Sequence, residues 1–250
     1  MYSTTTEGLP EESTPLITIC VVRVSLTIFA VFSSISEPLS KEEKAAYNTT
    51  IKALKDNGLW VLTDQLQVAR QGYENSSFMN WKTATVRGSK QKTAVDYPLF
   101  TKNYGFETNG VDNYIDTGFN PTTHGINYTL NNAGVIFRTA KNYAGATYSL
   151  GAYQTTSNRL YLIKEATNVS MKAGINGGLA AVVIDDSKTD KKGYYGIFRK
   201  NASTIFCTKD EFASADVANT AAASLINKTV FIGGINGLAG RYPEIWEPLS

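Results

Sequence analysis

Asp112 and Asp116 come closest to a catalytic pair in this chain of 250 residues. Cleaving a glycosidic bond takes two carboxyl groups about 5–10 Å apart across a cleft. Residues four apart share a face of a strand, so these two converge only if one strand spans both. They lie in Gly110-Val-Asp-Asn-Tyr-Ile-Asp-Thr-Gly118, a turn composition in which aspartate commonly bonds its own backbone. Asp185–Asp186 and Asp210–Glu211 are adjacent pairs, and neighbours on a strand point to opposite faces. No residue is therefore put forward as catalytic. Asp112, Asn113 and Asp116 could donate oxygens to calcium, which takes about six to eight. Nothing fixes them as a cage, and a solvated turn is the expected reading, with neither metal nor cofactor.

Sugars ask for aromatic faces flanked by amide or carboxylate hydrogen bonds. The segment 142–158 supplies Tyr143, Tyr148, Tyr153 and Asn158, and these are the glycan-binding candidates. The competing reading is that a sheet buries its tyrosines or lays them on a solvated face. His124, the single histidine, sits in Pro121-Thr-Thr-His124-Gly125, a turn from which a triad or zinc site is hard to build. Cys20 and Cys207 could form one bridge, but two thiols in a β-rich chain are better read as small buried apolar residues. Triplets at Asn48, Asn75, Asn127, Asn168, Asn201 and Asn227 fit glycosylation acceptors. They also arise by chance in a chain so rich in Asn, Ser and Thr.

The apolar pattern defines the elements that must carry these residues. Residues 16–32, LITICVVRVSLTIFAVF, are the most apolar stretch. A membrane span needs about 20 apolar residues, and Arg23 interrupts this one. Glu7, Glu11 and Glu12 precede it, where a secretory leader would carry Lys or Arg. Val22, Val24, Leu26 and Ile28 alternate with Arg23, Ser25 and Thr27, which predicts a half-buried strand over Val22–Phe32. Ser40 and Glu43 form a capping box. Tyr47, Ile51 and Leu54 follow at helical spacing up to a stop at Gly58, so a helix is expected over Lys41–Asp56. Its lysines should face solvent. Leu59–Ala69 is ambiguous between a short helix and an extended segment.

Beyond Asn80, short runs of Val, Ile, Tyr, Phe and Thr alternate with Gly, Asn and Asp clusters about every ten residues. Strands are expected at Phe100–Glu107, Asn113–Thr117, Gly134–Thr139, Thr147–Ala152, Arg159–Lys164, Leu179–Asp185, Tyr194–Arg199, Thr204–Thr208 and Thr229–Gly233. The run Ala213–Leu225 has no clean period and reads as a connection with at most one weak strand. Hydrophobic residues at 42% and aromatics at 11% exclude disorder for most of the chain. A net charge of +2 gives no basis for a nucleic-acid partner. Many short strands without interleaved helices indicate an antiparallel sandwich or barrel. The expected division is a polar arm (1–15), a strand plus helical elaboration (16–79) and a β-sandwich (80–250).

Leu99-Phe-Thr-Lys-Asn-Tyr-Gly-Phe106 with Gly110-Val-Asp-Asn-Tyr114-Ile-Asp-Thr-Gly118 resembles the opening of concanavalin A-like (laminin G-like) jelly-roll domains. Gly193-Tyr-Tyr-Gly-Ile-Phe-Arg199 and Val230-Phe-Ile-Gly-Gly-Ile-Asn236 resemble their later strands. The version most similar to this chain is that of tailed-bacteriophage structural proteins. There a helix, a Trp-containing segment like Asn80-Trp81-Lys82, and the jelly roll follow in this order. The resemblance covers about residues 40–240 and implies an antiparallel jelly-roll β-sandwich with an N-terminal strand and helix. It implies a non-enzymatic virion structural protein that decorates or stabilises the particle, partnered by other virion proteins or copies of itself.

Two other readings stay open: a lectin-like module contacting host-surface polysaccharide, and a polysaccharide hydrolase. Glucanases of this fold carry Glu-x-Asp-x-x-Glu on one strand, and this sequence has no such run. Domains of this kind usually add one more strand and a closing helix after the segment matching Ile232-Gly-Gly-Ile235. Val22–Phe32 is expected to supply the missing pairing, within its own subunit in preference to a neighbour's.

Overall fold

The computed structural model describes residues 18–23, 40–68, 73–92, 96–102, 104–109, 112–139, 147–164, 170–184 and 192–237. The helix α1 (Lys41–Asp56) begins as expected: the Glu43 amide donates to Ser40 Oγ at 3.1 Å, and the Ser40 amide donates to Glu43 Oε2 at 2.8 Å. That reciprocal cap satisfies two of the four amides a helix start leaves without partners. The helix ends at Asn57, and Gly58 follows at φ +70°.

The strands are β1 (Thr18–Arg23), β2 (Leu62–Val68), β3 (Met79–Asn80), β4 (Thr85–Val86), β5 (Ser89–Lys92) and β6 (Leu99–Thr101). There follow β7 (Gly105–Glu107), β8 (Asn113–Asp116), β9 (Ala133–Thr139), β10 (Thr147–Thr155), β11 (Asn158–Lys164) and β12 (Ser170–Gly177). The last are β13 (Ala180–Val183), β14 (Gly193–Asn201), β15 (Thr204–Lys209), β16 (Phe212–Ala213), β17 (Val217–Ala218) and β18 (Phe231–Ile232). Among the described residues no helix is long and apolar enough to cross a membrane.

Two antiparallel sheets hold the main strands. One runs β16-β15-β14-β9-β1-β2, with β17 beside β15, and the other runs β13-β12-β11-β10-β18-β8-β5. Alternation sends Val135, Phe137, Ile197 and Ile205 inward from the first sheet to meet Leu150, Leu160, Leu162 and Ile175 from the second. Each such side chain contributes about 1.5–3 kcal/mol by leaving water, so this shared core is the main source of stability. The chain is mainly β with antiparallel sheets, as its texture indicates.

Several expectations need adjusting. Phe100–Glu107 is not one strand but the hairpin β6–β7, in which Phe100 pairs with Phe106 and Thr101 with Gly105. Leu59–Ala69 resolves to a turn and then β2, a strand buried on both sides. The strand β12 was not foreseen, because its inward row includes the small Ala173 and glycines interrupt it.

The N-terminal pairing falls earlier than its alternation suggested. Thr18–Arg23 pairs along β2 from Thr18↔Val68 to Arg23↔Leu62, and with β9 at Cys20↔Ile136. The ladder with β2 ends at Arg23 because β2 itself begins at Leu62, straight after the turn from α1. Most of the expected strand, Val24–Phe32, lies outside the described residues. Within the chain β1 is an interior strand, between β2 and β9.

The helix covers the outer side of β2. Tyr47 and Ile51 are buried and Leu54 partly so, against Trp60, Leu66, Val68, Met79 and Trp81. The Tyr47 and Trp81 rings lie 4.3 Å apart. Lys41, Lys44, Lys52 and Lys55 are exposed, as predicted. On the opposite side of β2, Gln65 and Gln67 donate to the Thr117 carbonyl at 2.8 and 2.9 Å and tie the two sheets together.

Candidate functional site

The carboxylates singled out by spacing are occupied with local structure. Asp112 precedes β8 and accepts from the Asn109 side-chain amide. Asp116 ends β8, accepting from the Gly118 amide at 2.8 Å and the Thr229 hydroxyl at 3.1 Å. Burial pushes the Asp116 carboxyl above the ordinary carboxylate range, partly offset by those two bonds. Asp210 accepts from the Tyr194 amide at 2.9 Å. Asp185 and Asp186 lie outside the described residues. Among the described residues, no group of three or more His, Cys, Asp or Glu could hold a metal ion.

His124 closes a single helical turn, its Nδ1 accepting from the Asn120 amide at 3.0 Å. Burial and the nearby Arg87 charge hold its pKa below the ordinary value. Cys207 is free and fully buried, and burial pushes its thiol up to about 12.

The structure describes the side chains of two of the four glycan candidates, Tyr153 and Asn158. Tyr143 lies outside the described residues. Tyr148 and Tyr153 are on β10, and Tyr153 packs against Tyr161 and Ile235 on the second sheet. Arg159 lies over the rings of both Tyr153 and Tyr161. Asn158, at the start of β11, is buried and donates to the Ser224 carbonyl at 2.9 Å.

A different constellation occupies the outer side of the first sheet, across β9, β14 and β15. Tyr195, Ile197 and Arg199 face inward and are buried, so Tyr194, Gly196, Phe198 and Lys200 face outward. Register sets Phe198 between Gly134 on β9 and Phe206 on β15. The Phe198 and Phe206 rings stack with centroids 4.8 Å apart and planes 16° apart. Two glycines make room for that ring. A Cβ on Gly134 would lie 2.7 Å from Phe198 Cδ1, and one on Gly196 would lie 2.4 Å from its Cε2. Glycine inside a strand often marks such a close approach.

Charged groups flank the rings at both ends. Arg138 lies 5.4 Å from the centre of the Tyr194 ring, which is 39% exposed. At the other end Lys200 lies 4.9 Å from the Phe206 ring and donates to Asp216 Oδ1 at 2.6 Å. From Tyr194 to Lys200 the strand advances about 20 Å.

Beside Phe198 and Phe206 a cavity of about 340 Å³ opens, also bordered by Asn127, Asn132, Gly134 and Lys200. Its Asn127 edge is fixed by Asp64 of β2. That carboxylate accepts from the amides of Ile126 and Tyr128, each at 2.9 Å, and from the Asn127 side chain at 2.7 Å. Comparison with known proteins finds no matching family model, no matching curated protein and no matching solved structure.

Beneath this end of the sheet Arg199 is buried, donating from Nε to the Ile175 carbonyl at 2.7 Å and from Nη1 to the Asn219 carbonyl at 2.7 Å. Burial lowers the pKa of its guanidinium, which the adjacent Tyr128 partly counters. Arginine stays charged in such a site, and its donors hold the two sheets and the segment after β17 together. The aromatic face escaped sequence reasoning because Phe198 and Phe206 look like core residues until the register is known. The available signal was glycine at strand-interior positions 134 and 196.

Proposed function

We propose that this chain is a non-enzymatic jelly-roll β-sandwich that works by contact, as a structural protein of a tailed-phage particle. One observation carries the reading. The side chains best suited to chemistry, Asp64, Asp116, His124 and Arg199, are engaged in holding turns and sheets, while an aromatic face lies on the outer side of β14. Three of the four segments that carry the resemblance lie in the two main sheets, while Leu99–Phe106 falls in the separate β6–β7 hairpin. Asn113–Asp116 and Phe231–Ile232 lie side by side in the second sheet, with Ile115 opposite Ile232, and Gly193–Arg199 lies in the first.

Decoration or stabilisation of a particle needs surface complementarity and no reacting group. Partners would be other virion proteins or further copies of this chain. Quantitative mass spectrometry of purified virions of the encoding phage tests the proposal. The chain should be present in fixed copy number, and its absence from purified particles would overturn the reading.

A further inference from the structure

We infer that the cavity at Phe198 and Phe206 is a binding site for a neutral saccharide unit of an extended glycan. The inference deepens the contact-module reading by naming what one contact surface takes.

The chemistry points to sugar for four reasons. Stacked phenyl rings offer an apolar surface of the kind on which the C–H face of a pyranose ring rests. Amides at the edge supply the hydrogen bonds that its hydroxyls require. The Asn132 side chain makes no hydrogen bond within the described residues, and the Asn127 amide nitrogen is held by Asp64, leaving its Oδ1 as an acceptor. The volume, about 340 Å³, falls at the small end of the range of about 300–1,000 Å³ for ligand sites.

Charge argues for a neutral ligand: of the two cations lining the cavity, Lys200 is matched by Asp216 at 2.6 Å, and Arg199 is buried with its donors on the Ile175, Asn201 and Asn219 carbonyls. A nucleic acid would need unmatched cations for its phosphates. A peptide strand would need a sheet edge to pair with, whereas β14 is flanked by β9 and β15. The outward row from Phe198 to Tyr194 continues the surface along the strand, so a chain of sugars has room beyond the first unit.

The test uses the full chain, titrated by calorimetry and by saturation-transfer NMR with β-1,4-glucan, β-1,3-glucan and α-1,4-glucan hexamers. A polygalacturonate hexamer serves as the acidic probe. At least one neutral hexamer should bind, with saturation transfer strongest to ring C–H protons. Phe206→Ala and Asn132→Ala should each weaken it by about tenfold or more, equivalent to about 1.4 kcal/mol. Tyr153→Ala, on the other sheet, should leave affinity unchanged. Circular dichroism melts show that each variant is folded, and Gly134→Val, which crowds the Phe198 ring, is the second blocking variant should Phe206→Ala not fold. Absence of binding by every neutral hexamer overturns the inference. So does binding only of the acidic probe, or binding that survives the site variants. A chain that binds hexamers yet is missing from virions would sink the particle reading alone, and one present in virions without sugar affinity would sink only this inference.

Discussion

The Asp64 carboxylate holds Asn127 at two points, accepting from its main-chain amide at 3.0 Å and its side-chain amide at 2.7 Å. Asp64 is on β2 under the helix, and Asn127 borders the cavity beside Phe198, so one clamp couples the N-terminal part of the fold to the candidate site. Asp64→Ala should cost about 1–3 kcal/mol, because it leaves the buried Tyr128 amide and the part-buried amides of Ile126 and Asn127 without that acceptor. Urea denaturation measures this. A variant as stable as the parent would show that water replaces the carboxylate without loss.

Asp116 makes a pH-dependent prediction. Its carboxyl is raised above the ordinary value near 3.8 by burial, so over the window between those two values the folded state binds more protons than the unfolded state. Stability therefore falls as pH rises from the ordinary value through the folded-state value, and is flat above it. Asp116→Asn keeps an acceptor for the Gly118 amide while removing the charge. The variant should match or exceed the parent's stability at neutral pH and lose this segment of the pH profile. Urea melts from about pH 4 to about pH 7 check the slope, and identical profiles for parent and variant would refute it.

How much of this was legible depended on whether alternation survived in the side chains. The strands β9, β14 and β15 were readable because Val135, Phe137, Ile197 and Ile205 recur every second residue with β-branched and aromatic neighbours. In β12 the same inward row is Met171, Ala173 and Ile175, while Gly174 and Gly177 dilute the signal. Gly177 is needed there because a Cβ would fall 2.3 Å from Asn219 Oδ1. The strand β2 hid for another reason: its inward side chains are Gln65 and Gln67, buried because Thr117 and Phe78 offer carbonyls to their amides. The helix was clear from its cap and stop. The candidate site was not, since only cross-strand register brings Gly134, Phe198 and Phe206 together.

Cys207 should be inert in the folded protein. With its thiol pushed up to about 12 by burial, the thiolate is about a thousandfold scarcer than for a free thiol. Iodoacetamide at mildly alkaline pH, followed by peptide mass mapping, should leave Cys207 unmodified natively and alkylate it fully in guanidinium. Native labelling at the rate of a free thiol would mean that the core opens near β15 far more readily than its burial suggests.

The position of β1 between β9 and β2 makes the strictest demand on the fold. An interior strand satisfies ladder groups on both sides, so removing residues 1–23 exposes the facing edges of β9 and β2 together. Each lost ladder bond costs about 0.5–1.5 kcal/mol net. Six paired positions along β2 alone therefore amount to several kcal/mol, against a total stability of about 5–15 kcal/mol for a typical domain. The truncated chain should be aggregation-prone, with a clearly lowered melting temperature. A synthetic peptide spanning residues 16–24, added in trans, should restore much of the loss by pairing at the vacated edge. Size-exclusion chromatography with thermal melts, with and without the peptide, reads both effects. A truncated chain that stays monomeric and melts with the parent would mean that β9 and β2 close on each other without β1, and that the interior strand is dispensable.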